Sequence, residues 1–239
     1  PPPPPPPPPP LFFFHAHEGI RDSSTSRGLG DVYKRQLKLK ALVIEAGDNV
    51  GGTWYWNRYP GARFDSESWS YGYSFSKELF EEWDWPEHFA AQPDTLRYLN
   101  YVADKFDFRR DIKFDRRVEA CVFDQQNNLW TVRTNTKEEY VARFLITALG
   151  PLSAFTLPNI EGRETFKGPA YHTARWPHEE VDFSGKRVGI IGTGACAIQT
   201  IQTIAKDVAH LTVFQRSPNW AAPLNNSVIT EDEQKQIKQ

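Results

Sequence analysis

Residues 187–197 constrain the fold more than any other stretch of the chain. Arg187-Val188-Gly189-Ile190-Ile191 is a short apolar run of the kind found in buried parallel strands. Gly192-Thr193-Gly194-Ala195-Cys196-Ala197 follows at once, spaced as G-x-G-x-x-A. That is an accepted form of the fingerprint in which a strand turns into a helix beneath a dinucleotide pyrophosphate. Ile198, Ile201, Ile204 and Ala205 then recur on one helical face. The first glycine makes the turn, and the second lets the backbone approach the pyrophosphate on the free N–H groups of the helix start. The next strand, Leu211–Phe214, ends in Gln215-Arg216-Ser217 and not in an acid. A carboxylate there would repel a 2′-phosphate, whereas Arg216 can pair with one, so the unit reads as preferring NADP to NAD.

A second nucleotide unit is suggested earlier in the chain, without its phosphate loop. Ala41-Leu42-Val43-Ile44 reads as a buried parallel strand ending in Glu45. An acid at that position accepts hydrogen bonds from ribose hydroxyls. A glycine loop should precede it by about 20 residues. Gly28 and Gly30 do not supply one, because no apolar strand leads into them. Pro1–Pro10 is a homopolymer, and Asp31–Gln36 back-translates as GAT GTG TAT AAG AGA CAG, which resembles a transposase adaptor end. Residues 1–36 therefore read as a non-native segment expected to pack against nothing.

Beyond Glu45 the chain reads as a sequence of local elements. Gly51 and Gly52 allow close approach of the backbone, and Thr53-Trp54-Tyr55-Trp56 follows them. That is either a turn into an aromatic core or a loop over a flavin. Leu96, Leu99, Val102, Ala103 and Phe106 have helical spacing. Strands are expected at 118–123, 129–132 and 140–146, with a turn at Asn127-Asn128. Pro151 stops regular structure and marks a boundary.

Composition limits the function. The net charge of -2 gives no sign of a nucleic-acid or membrane-surface partner. The 2 cysteines, Cys121 and Cys196, are unpaired in spacing, which fits a reducing, cytoplasmic setting. No apolar run is long enough to span a bilayer. A disulfide reductase would need a redox cysteine pair, and the sequence has none.

Phe166, Gly168, His172, Trp176 and Pro177 fit F-x-G-x-x-x-H-x-x-x-W-P, immediately ahead of the G-x-G-x-x-A unit. On these residues the chain resembles the type I Baeyer–Villiger flavin monooxygenases, from about Leu42 to Pro223. The related N- and S-oxidising flavin monooxygenases usually carry Phe or Tyr at the Trp176 position, and they remain the alternative. The resemblance implies an α/β fold with two Rossmann-like domains. An FAD unit, truncated at its N-terminus, would occupy 37–150. The fingerprint linker and an NADP unit, truncated at its C-terminus, would occupy 151–239.

By the same resemblance, FAD would be held by Glu45, Gly52, Thr53, Trp54, Tyr55, Trp56, Asp65, Tyr71 and Val118. NADP would be held by Arg63, Phe64, Asp65, by Gly192, Thr193, Gly194, Ala195, Cys196, Ala197, Ile198 and Gln199, and by Arg216 and Ser217. Asp65 would support a catalytic Arg lying beyond Gln239, and His172 would couple domain motion. NADPH would reduce FAD, oxygen would add, and a ketone would become an ester or lactone. No metal is expected. As a partial reading frame, the 239 residues by themselves are expected to be inactive.

Overall fold

The computed structural model describes residues 11–14, 40–150 and 152–239. In chain order the elements are β1 Leu11–Phe14, β2 Lys40–Ile44, α1 Thr53–Trp56, α2 Lys77–Glu82, α3 Gln92–Lys105, β3 Ile112–Lys113 and β4 Val118–Asp124. They continue with β5 Leu129–Thr134, β6 Glu139–Ala142, β7 Phe144–Ile146, β8 Arg187–Ile191, α4 Ala195–Ile204, β9 His210–Phe214 and α5 Glu231–Ile237. They fall into two compact units. One takes the described residues up to Gly52, with Tyr73–Lys77 and the described residues from Leu99 to Ser153; the other takes Thr53–Gly72, Glu78–Tyr98 and Ala154–Gln239.

The first unit holds two sheets. One is parallel, ordered β3-β2-β1-β7. In it Leu11 lies opposite Lys40, Phe14 opposite Val43, and Phe12 opposite Phe144. The expectation that residues 1–36 pack against nothing therefore fails at β1. Four consecutive apolar residues are enough for an inner parallel strand, and such a run has no polar alternation to reveal it. The remainder of 1–36, with Gly28, Gly30 and the adaptor-like hexapeptide, lies outside the described residues.

The other sheet is antiparallel, β4-β5-β6. Val118 opens it, and its side chain packs on the core of Ile44, Val132 and Ala142 together with Leu42, Tyr140 and Leu145. That core joins strands of both sheets. Each fully buried aliphatic side chain in it contributes about 1.5–3 kcal/mol. The single strand expected over 140–146 is in fact two. Tyr140 pairs with Val132 in the antiparallel sheet, while Phe144–Ile146 pairs with β1 in the parallel one. The sequence pattern shows one apolar stretch, because both halves face apolar partners.

The second unit carries β8 and β9 as a parallel pair, from Arg187 opposite His210 to Ile191 opposite Phe214, with α4 between them in sequence. Its aromatic core gathers Trp54, Phe64, Trp85 and Tyr98, all buried. The stretches 53–72 and 78–98, which precede Pro151, cluster with this unit. Helix α5 was not expected. Its start is a capping box, in which Thr230 accepts from the Glu233 N–H and Glu233 accepts from the Thr230 N–H. Gln234 then donates to the Trp85 carbonyl, holding the helix on the 84–89 segment. Among the described residues no helix is long and apolar enough to cross a membrane.

If β1 forms the middle of the parallel sheet, a chain beginning at Leu37 loses ladder bonds on both sides of that strand. Its first unit should be less stable by at least about 3 kcal/mol, at roughly 1 kcal/mol net per backbone hydrogen bond. Urea unfolding followed by circular dichroism checks this; an unchanged transition would show that β1 contributes nothing.

Candidate dinucleotide sites

In the first unit, Glu45 follows β2. Its N–H donates to the Lys113 carbonyl at 2.9 Å, and its own carbonyl accepts from Arg116. The carboxylate is 2 % exposed. Oε1 accepts from the Gly47 N–H at 2.7 Å. Oε2 is buried and meets no donor among the described residues. Burial raises the carboxyl from 4.5 to about 7, against the lowering effect of the Gly47 and Ala46 N–H groups and of Arg117. Folding alone does not favour an acid held this way. A ribose hydroxyl donating to Oε2 would satisfy the orphaned oxygen, so the residue fits the FAD role that resemblance gives it. The loop after Glu45 is fixed by Arg109, which donates to Asn49 at 2.8 Å and also binds Asn100 and Asp104. Gly51 and Gly52 both take positive φ, 129° and 51°, where a side chain is strained.

In the second unit, Thr53, Trp54, Tyr55 and Phe64 are buried, Trp56, Arg63 and Tyr71 are half-buried, and Asp65 is exposed. The Trp54 indole N–H donates to the Tyr71 hydroxyl at 2.6 Å, and Phe64 stacks on Tyr71 with centroids 4.5 Å apart. These residues make an aromatic core, which is the simpler of the two readings of the sequence. The Thr53 hydroxyl is buried with no partner among the described residues, a further polar atom that a flavin could satisfy.

The glycine cradle lies between β8 and α4. Gly192 adopts φ 101°, which an L side chain rarely takes, and its N–H donates to the Phe214 carbonyl at 2.8 Å. A Cβ at Gly194 would meet nothing within 4 Å. Gly194 is the N-cap and has no side-chain acceptor, so the first N–H groups of α4, at Ala195, Cys196 and Ala197, are left to a ligand or solvent. Open space over a helix start fits a pyrophosphate. The Thr193 hydroxyl accepts from Asn219 at 3.1 Å, which ties the cradle to the loop after β9. Arg216 and Ser217 in that loop are exposed, and among the described residues no acid pairs with Arg216. Ile198 is half-buried and begins the intrahelical bonding to Gly194.

Gln199 does not face this cradle as a free amide. Its Oε1 accepts from the Tyr59 hydroxyl at 2.8 Å, and its Nε2 donates to the Arg63 carbonyl at 3.0 Å. Burial, reinforced by the Cys196 thiol, pushes the Tyr59 phenol well above its usual range, so it stays a proton donor. Sequence spacing gave no sign of this contact, since the partners are 140 residues apart.

His172 caps the short turn Thr173–Arg175, with Nδ1 accepting from the Ala174 N–H at 3.1 Å. That bond assigns the proton to Nε2. Burial and the Arg175 charge lower the imidazole below its ordinary value. Phe155 lies 4.8 Å away by ring centroids, and Arg175 stacks on both Phe155 and Trp56. This arrangement orients the fingerprint, and among the described residues His172 meets no proton-transfer partner. Trp176 packs between Tyr171 and Phe183. A Cβ at Gly168 would lie 2.7 Å from the tip of the exposed Phe166 ring. No metal-binding group of side chains occurs among the described residues.

Residues 29–238 match the family model described as pyridine nucleotide-disulphide oxidoreductase. The chain is 48 % identical over 210 residues to the acetone monooxygenase (methyl acetate-forming) of Gordonia sp. strain TY-5, covering 86 % of this chain and 39 % of that enzyme. It is 43 % identical over 198 residues to the phenazine N-monooxygenase of Lysobacter antibioticus, covering 83 % and 36 %. The crystal structure of OTEMO in complex with FAD and NADP superposes with a TM-score of 0.87 at 43 % identity, covering 96 % of this chain and 43 % of that one. The chain thus spans about two-fifths of the length of these relatives.

The buried Glu45 gives a pH signature. Its folded pKa of about 7 lies above the ordinary 4.5, so its contribution is fully present below pH 4.5 and is lost as pH rises to 7. The loss is roughly 3 kcal/mol, at 1.36 kcal/mol per unit. Glu45→Gln should therefore stabilise the ligand-free chain at pH 8 relative to pH 4, by about that amount. Urea unfolding of both proteins at both pH values measures it; parallel pH profiles would show that Glu45 is not the buried acid described.

Proposed function

Because the chain belongs to the pyridine nucleotide-disulphide oxidoreductase family, we propose that it is part of an FAD- and NADPH-dependent monooxygenase that converts a ketone, with O2, to an ester or lactone. Two dinucleotide sites carry the proposal: the open cradle of Gly192–Ala197 beside Arg216, and the orphaned, buried carboxylate oxygen of Glu45. The fingerprint from Phe166 to Pro177 narrows the reaction, and the likeness to an acetone monooxygenase supports it. The family's disulfide chemistry does not suit this chain, whose two cysteines are both free.

On this reading the fold is two Rossmann-like domains, FAD-binding before Pro151 and NADP-binding after it, although residues 53–72 and 78–98 cluster with the latter. Bound flavin supplies the reaction with oxygen. The resemblance gives Glu45 a ribose hydroxyl of FAD to accept, gives Thr53, Trp54 and Tyr71 roles in holding FAD, and gives Phe64 a role in holding NADP. The helix start of α4 binds the NADP pyrophosphate and Arg216 its 2′-phosphate. Asp65 keeps its exposed carboxylate for a cationic partner, an electrostatic role in the reaction. A reducing, cytoplasmic setting suits the free thiols. The N-monooxygenase among the relatives favours a second reading, oxidation at nitrogen or sulfur, which would use the same cofactor residues.

Two measurements test this. Arg216→Ala should weaken NADP+ binding by roughly 1.5–3 kcal/mol while leaving NAD+ little changed, as loss of a charge-assisted pair requires. Equal losses would remove Arg216 from the phosphate role. The whole enzyme, given a small ketone panel and a thioether with NADPH and O2, should yield esters or lactones by mass spectrometry. Sulfoxide alone would favour the second reading.

A further inference from the structure

The turn Tyr59-Pro60-Gly61-Ala62-Arg63 and helix α4 meet at an unusually close contact. Gly61, at φ 79°, lies so near α4 that a Cβ would sit 2.2 Å from the Thr203 hydroxyl and 2.6 Å from the Gln199 carbonyl oxygen. Beside it, Gln199 accepts from Tyr59 at 2.8 Å and donates to the Arg63 carbonyl at 3.0 Å. Both ends of one amide therefore bind the same turn. The guanidinium of Arg63 is fixed independently: Nη1 donates to Glu87 at 3.1 Å and to the Phe89 carbonyl at 3.2 Å. Glu87 is in turn held by Asn226 at 2.8 Å. Arg63 is thus anchored at its main chain and at its side chain, and its Nε and Nη2 edge meets no acceptor among the described residues.

We propose that Gln199 is a positioning residue that docks the Tyr59–Arg63 turn on the nucleotide-binding helix, and so presents the remaining edge of Arg63 to the nicotinamide half of NADP. This rests on the NADP reading above. Arg216 at the end of β9 takes the adenosine 2′-phosphate, and the start of α4 takes the pyrophosphate. What is left for a residue pinned beside the second turn of α4 is the nicotinamide end. Gln199 itself has its carbonyl and one N–H engaged within the protein, so it acts through Arg63 and not by contact with phosphate.

The test uses the whole enzyme of which these residues are part and two ligands, NADP+ and 2′-phospho-ADP-ribose, which has both phosphate sites but lacks nicotinamide. Gln199→Ala should weaken NADP+ by about two- to tenfold, as loss of a neutral hydrogen bond implies, and leave 2′-phospho-ADP-ribose unchanged. Tyr59→Phe should have a smaller effect of the same kind and add nothing in the double variant. Without ligand, amide exchange across residues 58–65 should quicken in Gln199→Ala and stay the same in β4 and β5. Equal weakening of both ligands would overturn the proposal in favour of a direct phosphate contact. Unchanged exchange in 58–65 would overturn the docking role. If the unsubstituted whole enzyme bound neither ligand, the NADP reading would fall, and the exchange result would still decide the docking.

Discussion

At Gly61 the backbone of the Tyr59–Arg63 turn lies directly against α4, and a Cβ would collide with the Thr203 hydroxyl and the Gln199 carbonyl. Main-chain contact at that distance leaves little freedom to slide, because packed interiors resist small displacements. From this contact the rest of the second unit is placed in order. Tyr59 and Gln199 close the gap on one side. The Ala62 carbonyl accepts from the Gln92 N–H on the other, and Arg63 forms an antiparallel bridge with Ala91. Phe64 then enters the aromatic core, and the next residue, Asp65, emerges at the surface. Buried and exposed positions thus alternate along a short segment whose register is fixed at one glycine.

The first unit stores its constraint as charge. A carboxylate almost wholly removed from water, with one oxygen satisfied and the other not, costs free energy in the absence of a ligand. Sites of that kind mark places where a sequence is shaped by something other than its own folding. The Arg109 clasp on Asn49 shows the same unit stiffening the loop that follows the acid. A rigid surround reduces the cost of ordering when a partner binds.

Much of this was legible in the sequence where the signal is local. Strand β8, the glycine loop and α4 occupy consecutive residues, so their chemistry appears as spacing. The ends of α3, β4 and β5 fell within a few residues of expectation for the same reason. Strand β1 was missed because its four apolar residues sit beside a proline homopolymer, and an inner parallel strand has no alternation to distinguish it. Helix α5 was missed although Thr230 and Glu233 spell a capping box, because its body is too polar to show an apolar face. The engagement of Gln199 could not be read at all. It depends on Tyr59, far away in the chain, and on a glycine whose purpose is visible only once a helix lies against it. The fingerprint histidine is an intermediate case. Its place in the linker was evident, but the Ala174 bond and the Phe155 ring that orient it are local details of a turn without regular spacing.

Between Ala142 and Phe144 the chain leaves the antiparallel sheet and enters the parallel one with only Arg143 between them. Side chains alternate faces along a strand, so adding or removing one residue here would turn every later side chain of β7 to the opposite face. The hairpin at Asn127-Asn128 could lengthen without disturbing either sheet. Arg143 cannot be treated that way: it fixes the count of residues between two sheets, and variation in length among proteins built on this plan must be accommodated elsewhere.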